Sequence, residues 1–172
     1  MLSIDAWLDE RPYKEVFDHA IHEKVSLQRT HGMVAGRLCT MLAAWAAAHG
    51  DVAVEWRVYL AEGVTLVPDV AFISRARLAP LARREREMPP FAPDIAVEVR
   101  SPEDSERRIR RKTKLYLRYG ATLVLNVDPG TRSIAVESAR ETRSFAAGSV
   151  VAPEEFPGLA IDVAAVFAGL DA

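Results

Sequence analysis

The stretch FAPDIAVEVRSPEDSERRIRRKTKLYLRYGATLVLNVDPG, residues 91–130, decides the fold. DIAVEVR (94–100) alternates as a strand, and TLVLNVDPG (122–130) is an apolar run of the buried type that ends in a turn. Between them, SPEDSERRIRRKTKLYLRYG (101–120) carries the signals of a helix. Ser101 stands as N-cap, Pro102 at the first helical position, Glu103 and Asp104 in the first turn, and Gly120 at the end. A strand, a helix and a strand in this order predict a right-handed crossover joining two parallel strands.

Working outward, HGMVAGRLCTMLAAWAAAHG (31–50) reads as a helix, with Val34, Leu38, Met41 and Trp45 at helical spacing and Gly50 as its stop. VAVEWRVYL (52–60) reads as one strand with Val52, Val54, Trp56, Val58 and Leu60 on one face and Glu55 and Arg57 on the other. VTLVPDVAFIS (64–74) reads as the next strand, where Pro68 implies an edge position or an irregularity. Residues 13–28 alternate loosely, as one or two short strands. Residues 75–93 are rich in Arg, Glu and Pro and predict a surface helix with a Pro-rich connection. SIAVES (133–138) and TRSFAAGSVV (142–151) predict a hairpin, and VAAVFAGL (163–170) a short closing helix. The class is α/β, a mixed sheet flanked by helices.

The chain has 172 residues, which suits one domain over 1–172, with 49% hydrophobic and 27% charged residues. No apolar run reaches the ~20 residues of a bilayer span. The first residues, MLSIDAWLDERPYKE, lack the basic start and apolar core of a signal peptide, so a cytoplasmic protein is expected. The single cysteine, Cys39, excludes an intrachain disulfide and a cysteine zinc site, and reads as a buried structural thiol. His19 and His22 have no third ligand at zinc-like spacing. The net charge of −2 does not advertise a nucleic-acid binder, but 106–118 and the arginines from Arg75 to Arg86 are locally basic. Such runs are solvated faces or phosphate contacts.

Three residues break the local pattern. Glu98 sits mid-strand, on one face with Asp94, Ala96 and Arg100; burying it requires a cation or a salt bridge, with Arg100 or Arg57 as candidates. Asp69 interrupts an apolar run, where a Pro-Asp pair otherwise marks a turn. On a helical wheel at about 100° per residue, Lys112 falls in the apolar arc of Ile109, Leu115, Tyr116 and Tyr119, while Lys114 lies opposite with Arg107 and Arg110. Lys112 either snorkels or aims at the carboxylates. An Asp, a Glu and a Lys meeting at a sheet edge suit phosphodiester hydrolysis. The carboxylates hold Mg²⁺, with Mn²⁺ as a substitute, and the ammonium orients water or stabilises the transition state.

VPDVAFIS, FAPDIAVEVRSPED, the KTKLYLRYG helix and VLNVDPG, in that order, resemble the Uma-type family of "putative restriction endonucleases", a bacterial domain of unknown function in the PD-(D/E)XK nuclease superfamily. The resemblance runs from EKVSLQRTHG (23–32) to the closing VAAVFAGL. It implies a restriction-endonuclease-like core, a metal-dependent endonuclease acting on DNA, and a homodimer where both strands are cut. It matches Asp69 to the superfamily's metal-binding Asp and Glu98 to the acidic residue of its half-motif. That motif's lysine is replaced by Arg100, which stays protonated and cannot act as a base. The family pattern moves the lysine to the next helix, at Lys112. Ten helical residues rise ~15 Å while Glu98 lies ~7 Å from its strand end, so a loop at Ser101 or a tilted helix must bridge the difference.

Glu55, in EWR, is a further candidate at the metal site or an exposed strand carboxylate. His31 is a packed N-terminal histidine or a phosphate contact. Arg107, Arg110, Arg111, Lys114 and Arg118 form the face expected to meet nucleic acid. The competing expectation is an inactive copy of the fold, acting as a DNA-binding or protein-interaction module.

Overall fold

The computed structural model describes residues 13–24 and 28–170. The chain opens with a hairpin of β1 (Tyr13–Phe17) and β2 (Ala20–Lys24), followed by helix α1 (Arg29–Ala46). A six-stranded sheet carries the rest. From one edge it runs β10 (Thr142–Ala146), β9 (Ser133–Glu137), β8 (Leu123–Asp128), β7 (Ile95–Val99), β6 (Val70–Ser74) and β3 (Gly50–Val54). Only β7 and β8 are parallel, joined through helix α4 (Glu106–Arg118). This is the crossover read from residues 91–130.

The sheet buries both faces. On one, Val34, Leu38 and Leu42 of α1 pack on Val70, Phe72, Ile95 and Val97, together with Val163 and Val166 of the closing helix α5 (Val163–Phe167). On the other, Leu115 and Tyr116 of α4 pack on Ala96 and Val124. A second, antiparallel sheet of β2, β1, β5 (Val64–Leu66) and β4 (Val58–Ala61) closes over this side, contributing Phe17, Val58, Leu60 and Leu66. Two short helices, α2 (Arg75–Leu78) and α3 (Arg83–Glu87), occupy the Arg-rich connection, and the expected hairpin strand 142–151 is divided: only 142–146 pairs with β9, while β11 (Val150–Val151) pairs with β12 (Ile161–Asp162) in a separate sheet.

Three further expectations need correction. The run 52–60 is two strands in two different sheets, β3 and β4, broken at Glu55, whose φ of 50° is left-handed. Val54 is accordingly exposed while Val58 is fully buried. The run 64–74 also splits, into β5 and β6. Pro68 has no N–H to give either ladder, so it sits at the crossing between sheets rather than at an edge. Finally, α4 starts at Glu106 with Ser105 as its N-cap, accepting from the Arg108 amide at 3.2 Å. Ser101 to Asp104 form a turn instead, closed by Ser101 N–H to Asp104 Oδ2 at 2.9 Å. Lys112 thus lies six residues into the helix, about 9 Å along it, and the mismatch in reach disappears.

Two smaller findings concern α1. Cys39 is half-buried rather than fully buried. Gly50 does more than stop the helix: a Cβ there would lie 2.2 Å from the Ile73 carbonyl oxygen, so glycine is required for β3 to pair with β6. No described helix is long and apolar enough to cross a membrane.

Candidate active site

At the end of β6 the backbone departs from a regular ladder. Val70 is registered with Val97, yet the Asp69 amide also donates to the Val97 carbonyl at 2.9 Å. Two residues therefore face one, as in a β-bulge, which re-aims a side chain. The Asp69 carboxylate, 4% exposed, lies along the sheet end and accepts from the Val99 amide at 2.6 Å.

Glu98, on the neighbouring strand, projects to the α4 side. Lys112 Nζ lies 2.6 Å from its Oε2, and the Tyr116 hydroxyl donates to its Oε1 at 2.6 Å. Lys112 and Tyr116 are one helical turn apart on the buried stripe of α4, so one helix face supplies both donors. The salt-bridge reading of Glu98 holds with a different partner: Lys112 in place of Arg100 or Arg57. Arg100 turns to Glu106 at 3.3 Å and Asp128 at 3.6 Å, on the rim.

A fourth group was not anticipated. Glu15 of β1 is fully buried; its Oε1 accepts from the Val67 amide at 2.9 Å and lies 2.8 Å from Lys112 Nζ, with Arg108 3.4 Å from Oε2. The signal was present in YKEVF, where Glu15 and Phe17 share a face, placing an acid beside a core aromatic. Tyr116, read only as an apolar stripe residue, likewise proves to be a hydrogen-bond donor to Glu98.

The electrostatics follow from this crowding. Burial alone would pull the Lys112 ammonium down, but Glu15, then Glu98 and Asp69, outweigh it and hold the amine well above its ordinary value. Burial, reinforced by Glu98 and Glu15, pushes the Tyr116 phenol far up, so it stays a donor. Among the described residues Glu15, Glu98 and Asp69 all act on the Lys112 ammonium, and Glu15 also meets Arg108.

Among the described residues no three His, Cys, Asp or Glu side chains group as a metal site. Mg²⁺ needs no such group, since one or two carboxylates with water and substrate phosphate complete its shell. Asp69 and Glu98 each supply oxygen, the ligand type Mg²⁺ takes, and among the described residues His31 is the imidazole recorded beside them, which does not make a zinc set.

The remaining candidates separate. His31, at the start of α1, has Nε2 3.2 Å from Asp69 Oδ2, so it contacts the site carboxylate. Glu55 is exposed; its backbone amide donates to the Asp69 carbonyl at 3.2 Å, and no described interaction joins its carboxylate to the cluster. On the outer face of α4, Arg107, Lys114 and Arg118 are exposed, while Arg110 pairs with Glu106 at 3.6 Å and Arg111 grips Asp18 at the hairpin turn.

The mixed sheet with one parallel pair, flanked by helices, is a nuclease-like fold. A crystal structure described as a "putative nuclease" of DUF820, from Anabaena variabilis, matches with a TM-score of 0.82 at 19% identity, over 92% of this chain and 91% of that one. The chain belongs to the Uma2 family, described as "Putative restriction endonuclease", whose family model matches residues 5–164. No functionally curated protein matches it.

Proposed function

We propose that this protein is a Mg²⁺-dependent endonuclease that hydrolyses phosphodiester bonds in DNA. The observation that carries the reading is the buried Glu98–Lys112 pair, with Asp69 anchored to the amide of Val99, the residue next to Glu98, within a family described as "Putative restriction endonuclease". Asp69 and Glu98 would hold the ion, Mn²⁺ replacing it, and the bound ion supplies a polarised phosphate and an acidified water. Asp69 is fixed for this by the Val99 amide and His31, and Glu98 by Lys112 and Tyr116.

Held protonated by its carboxylates in the metal-free chain, Lys112 acts as a cation whose N–H groups orient the attacking water and stabilise charge on the phosphorane. A new P–O bond forms to water oxygen, the bond to the leaving sugar oxygen breaks, and the proton that the water gives up passes through solvent to that leaving oxygen. Cutting both strands of a duplex needs two sites, so a homodimer goes with this reading. Arg107, Lys114 and Arg118 are the cations of α4 left to meet the backbone.

The test is cleavage of supercoiled plasmid, single-stranded DNA and RNA with Mg²⁺ or Mn²⁺, beside EDTA and an Asp69→Ala control. Metal-dependent cutting of DNA that Asp69→Ala loses is expected; wild-type protein that cuts none of these at stoichiometric amounts removes the proposal. One observation favours a second reading, an idle nuclease fold that binds DNA or another protein. Both Glu98 oxygens are already engaged, and Arg100 replaces the half-motif lysine. DNA binding without cleavage is its signature.

A further inference from the structure

A cleft of about 190 Å³ opens beside Glu98, between the first turns of α4 and the C-terminal ends of β7 and β8. It lies on the α4 face of the sheet, at the carboxyl ends of the parallel pair, where open α/β sheets take ligands. Glu98 and Lys112 form its back wall. Glu98 is registered with Asn126, and Asn126 with Ala135, so these residues line up across three strands. Glu137 stands two residues beyond Ala135 and shares its face.

Asn126 is pinned. Its Nδ2 donates to Thr113 Oγ1 at 2.9 Å and to Glu137 Oε1 at 2.7 Å. That amide holds the Glu137 carboxylate against the cleft floor, yet no cation pairs with Glu137 among the described residues, and no described hydrogen bond uses its Oε2. Its Oε2 is thus available to a donor that enters the cleft. At the mouth Arg100, Arg108 and Arg110 are paired with Asp104, Glu106 and Asp128, and Ile109 adds apolar wall.

We propose that this cleft receives one unpaired nucleobase, guanine before the others, from the nucleotide beside the phosphodiester that is cut; this rests on the nuclease reading. The volume equals that of about six waters. It lies below the ~300–1,000 Å³ of sites for drug-sized ligands, so one ring system enters and its sugar and phosphate stay at the mouth. An apolar wall suits a ring face. A carboxylate takes two parallel donors. Guanine presents such a pair, N1–H beside the 2-amino group. Adenine and cytosine set their amine beside an acceptor nitrogen, and uracil or thymine flanks its one N–H with two carbonyls that a carboxylate repels. A base inside a duplex cannot enter, so the site selects unpaired or extruded nucleotides.

The test begins without metal. Binding of GMP, AMP, CMP and UMP to the full chain is measured by calorimetry, for wild type and for Glu137→Gln, with thermal melts to verify folding. The expected result is GMP at least about tenfold tighter than UMP, a difference of about 1.4 kcal/mol. Glu137→Gln, which keeps the Asn126 contact but sets an amide N–H against a donor, should bring that ratio below about twofold. Equal affinities for the four nucleotides, no binding up to millimolar concentration, or an unchanged ratio in Glu137→Gln overturns the pocket. A second arm compares cleavage of duplexes holding a single unpaired guanine or thymine. Cutting at equal rates with no selective GMP binding overturns the pocket and leaves the nuclease reading standing. Selective GMP binding by a protein that cuts no substrate does the reverse.

Discussion

Replacing Glu15 tests the least anticipated member of the cluster. Its carboxylate is fully buried and meets the Lys112 ammonium at 2.8 Å, the Val67 amide at 2.9 Å and Arg108 at 3.4 Å. Removing one partner of a buried pair costs about 3–5 kcal/mol, because the other charge stays behind uncompensated. Glu15→Gln keeps an acceptor for Val67 and should fall at the lower end, about 3 kcal/mol. Glu15→Ala also strands the Val67 amide and should reach about 5 kcal/mol. For a chain of this size the glutamine variant should melt about 6–12 °C lower. Urea unfolding is the assay, with the midpoint falling and the slope unchanged. A double-mutant cycle with Lys112→Met isolates the pair: the double variant should be less destabilised than the sum of the singles by about 1–3 kcal/mol. A glutamine variant costing under about 1 kcal/mol, with no coupling to Lys112, would refute the buried pair.

Other perturbations discriminate among the neighbours. Lys112→Ala should abolish cleavage while Lys114→Ala, on the opposite and exposed face of α4, leaves turnover intact in a single-turnover assay. The raised pKa values of Lys112 and Tyr116 fix the sign of an alkaline effect. Their stabilising contribution is complete below the unfolded values, near about 10.4 and 10, and is lost as pH rises through the folded ones. Urea titrations of the metal-free protein should therefore show no loss from these groups until above pH ~10. In salt titrations of DNA binding by Asp69→Ala protein, Arg107→Ala and Lys114→Ala should each flatten the slope by about 0.9. Arg111→Ala should change it little, since Asp18 already neutralises that guanidinium.

The crossover and its cargo were legible because their signals are local. DIAVEVR shows an acid on a strand face, and the wheel alone places Lys112 with Leu115 and Tyr116 while turning Lys114 outward. What alternation cannot record is which sheet a strand joins. Val52 to Leu60 keeps one parity throughout, yet the left-handed turn at Glu55 sends its halves into different sheets, and Pro68 does the same to 64–74. The start of α4 was ambiguous for another reason. Ser101 and Ser105 can each cap a helix, and the turn that consumes Ser101 to Asp104 is decided by the need to bring α4 back over the sheet. Glu15 and His31 acquire meaning only through tertiary contacts, Glu15 with Lys112 and His31 with Asp69, and no spacing along the chain announces those.

The Glu15 contacts also order the events of folding. Arg108 and Glu15 are 93 residues apart, and Lys112 lies further still. At about 5–20 residues per second, a ribosome exposes Glu15 some ~5–20 s before Lys112 is made. Through that interval the first hairpin carries Glu15 without Arg108 and Lys112, the two α4 cations that meet it in the folded chain. The contact that ties the small sheet to α4, beside Glu98, forms only when both of its ends have been synthesised.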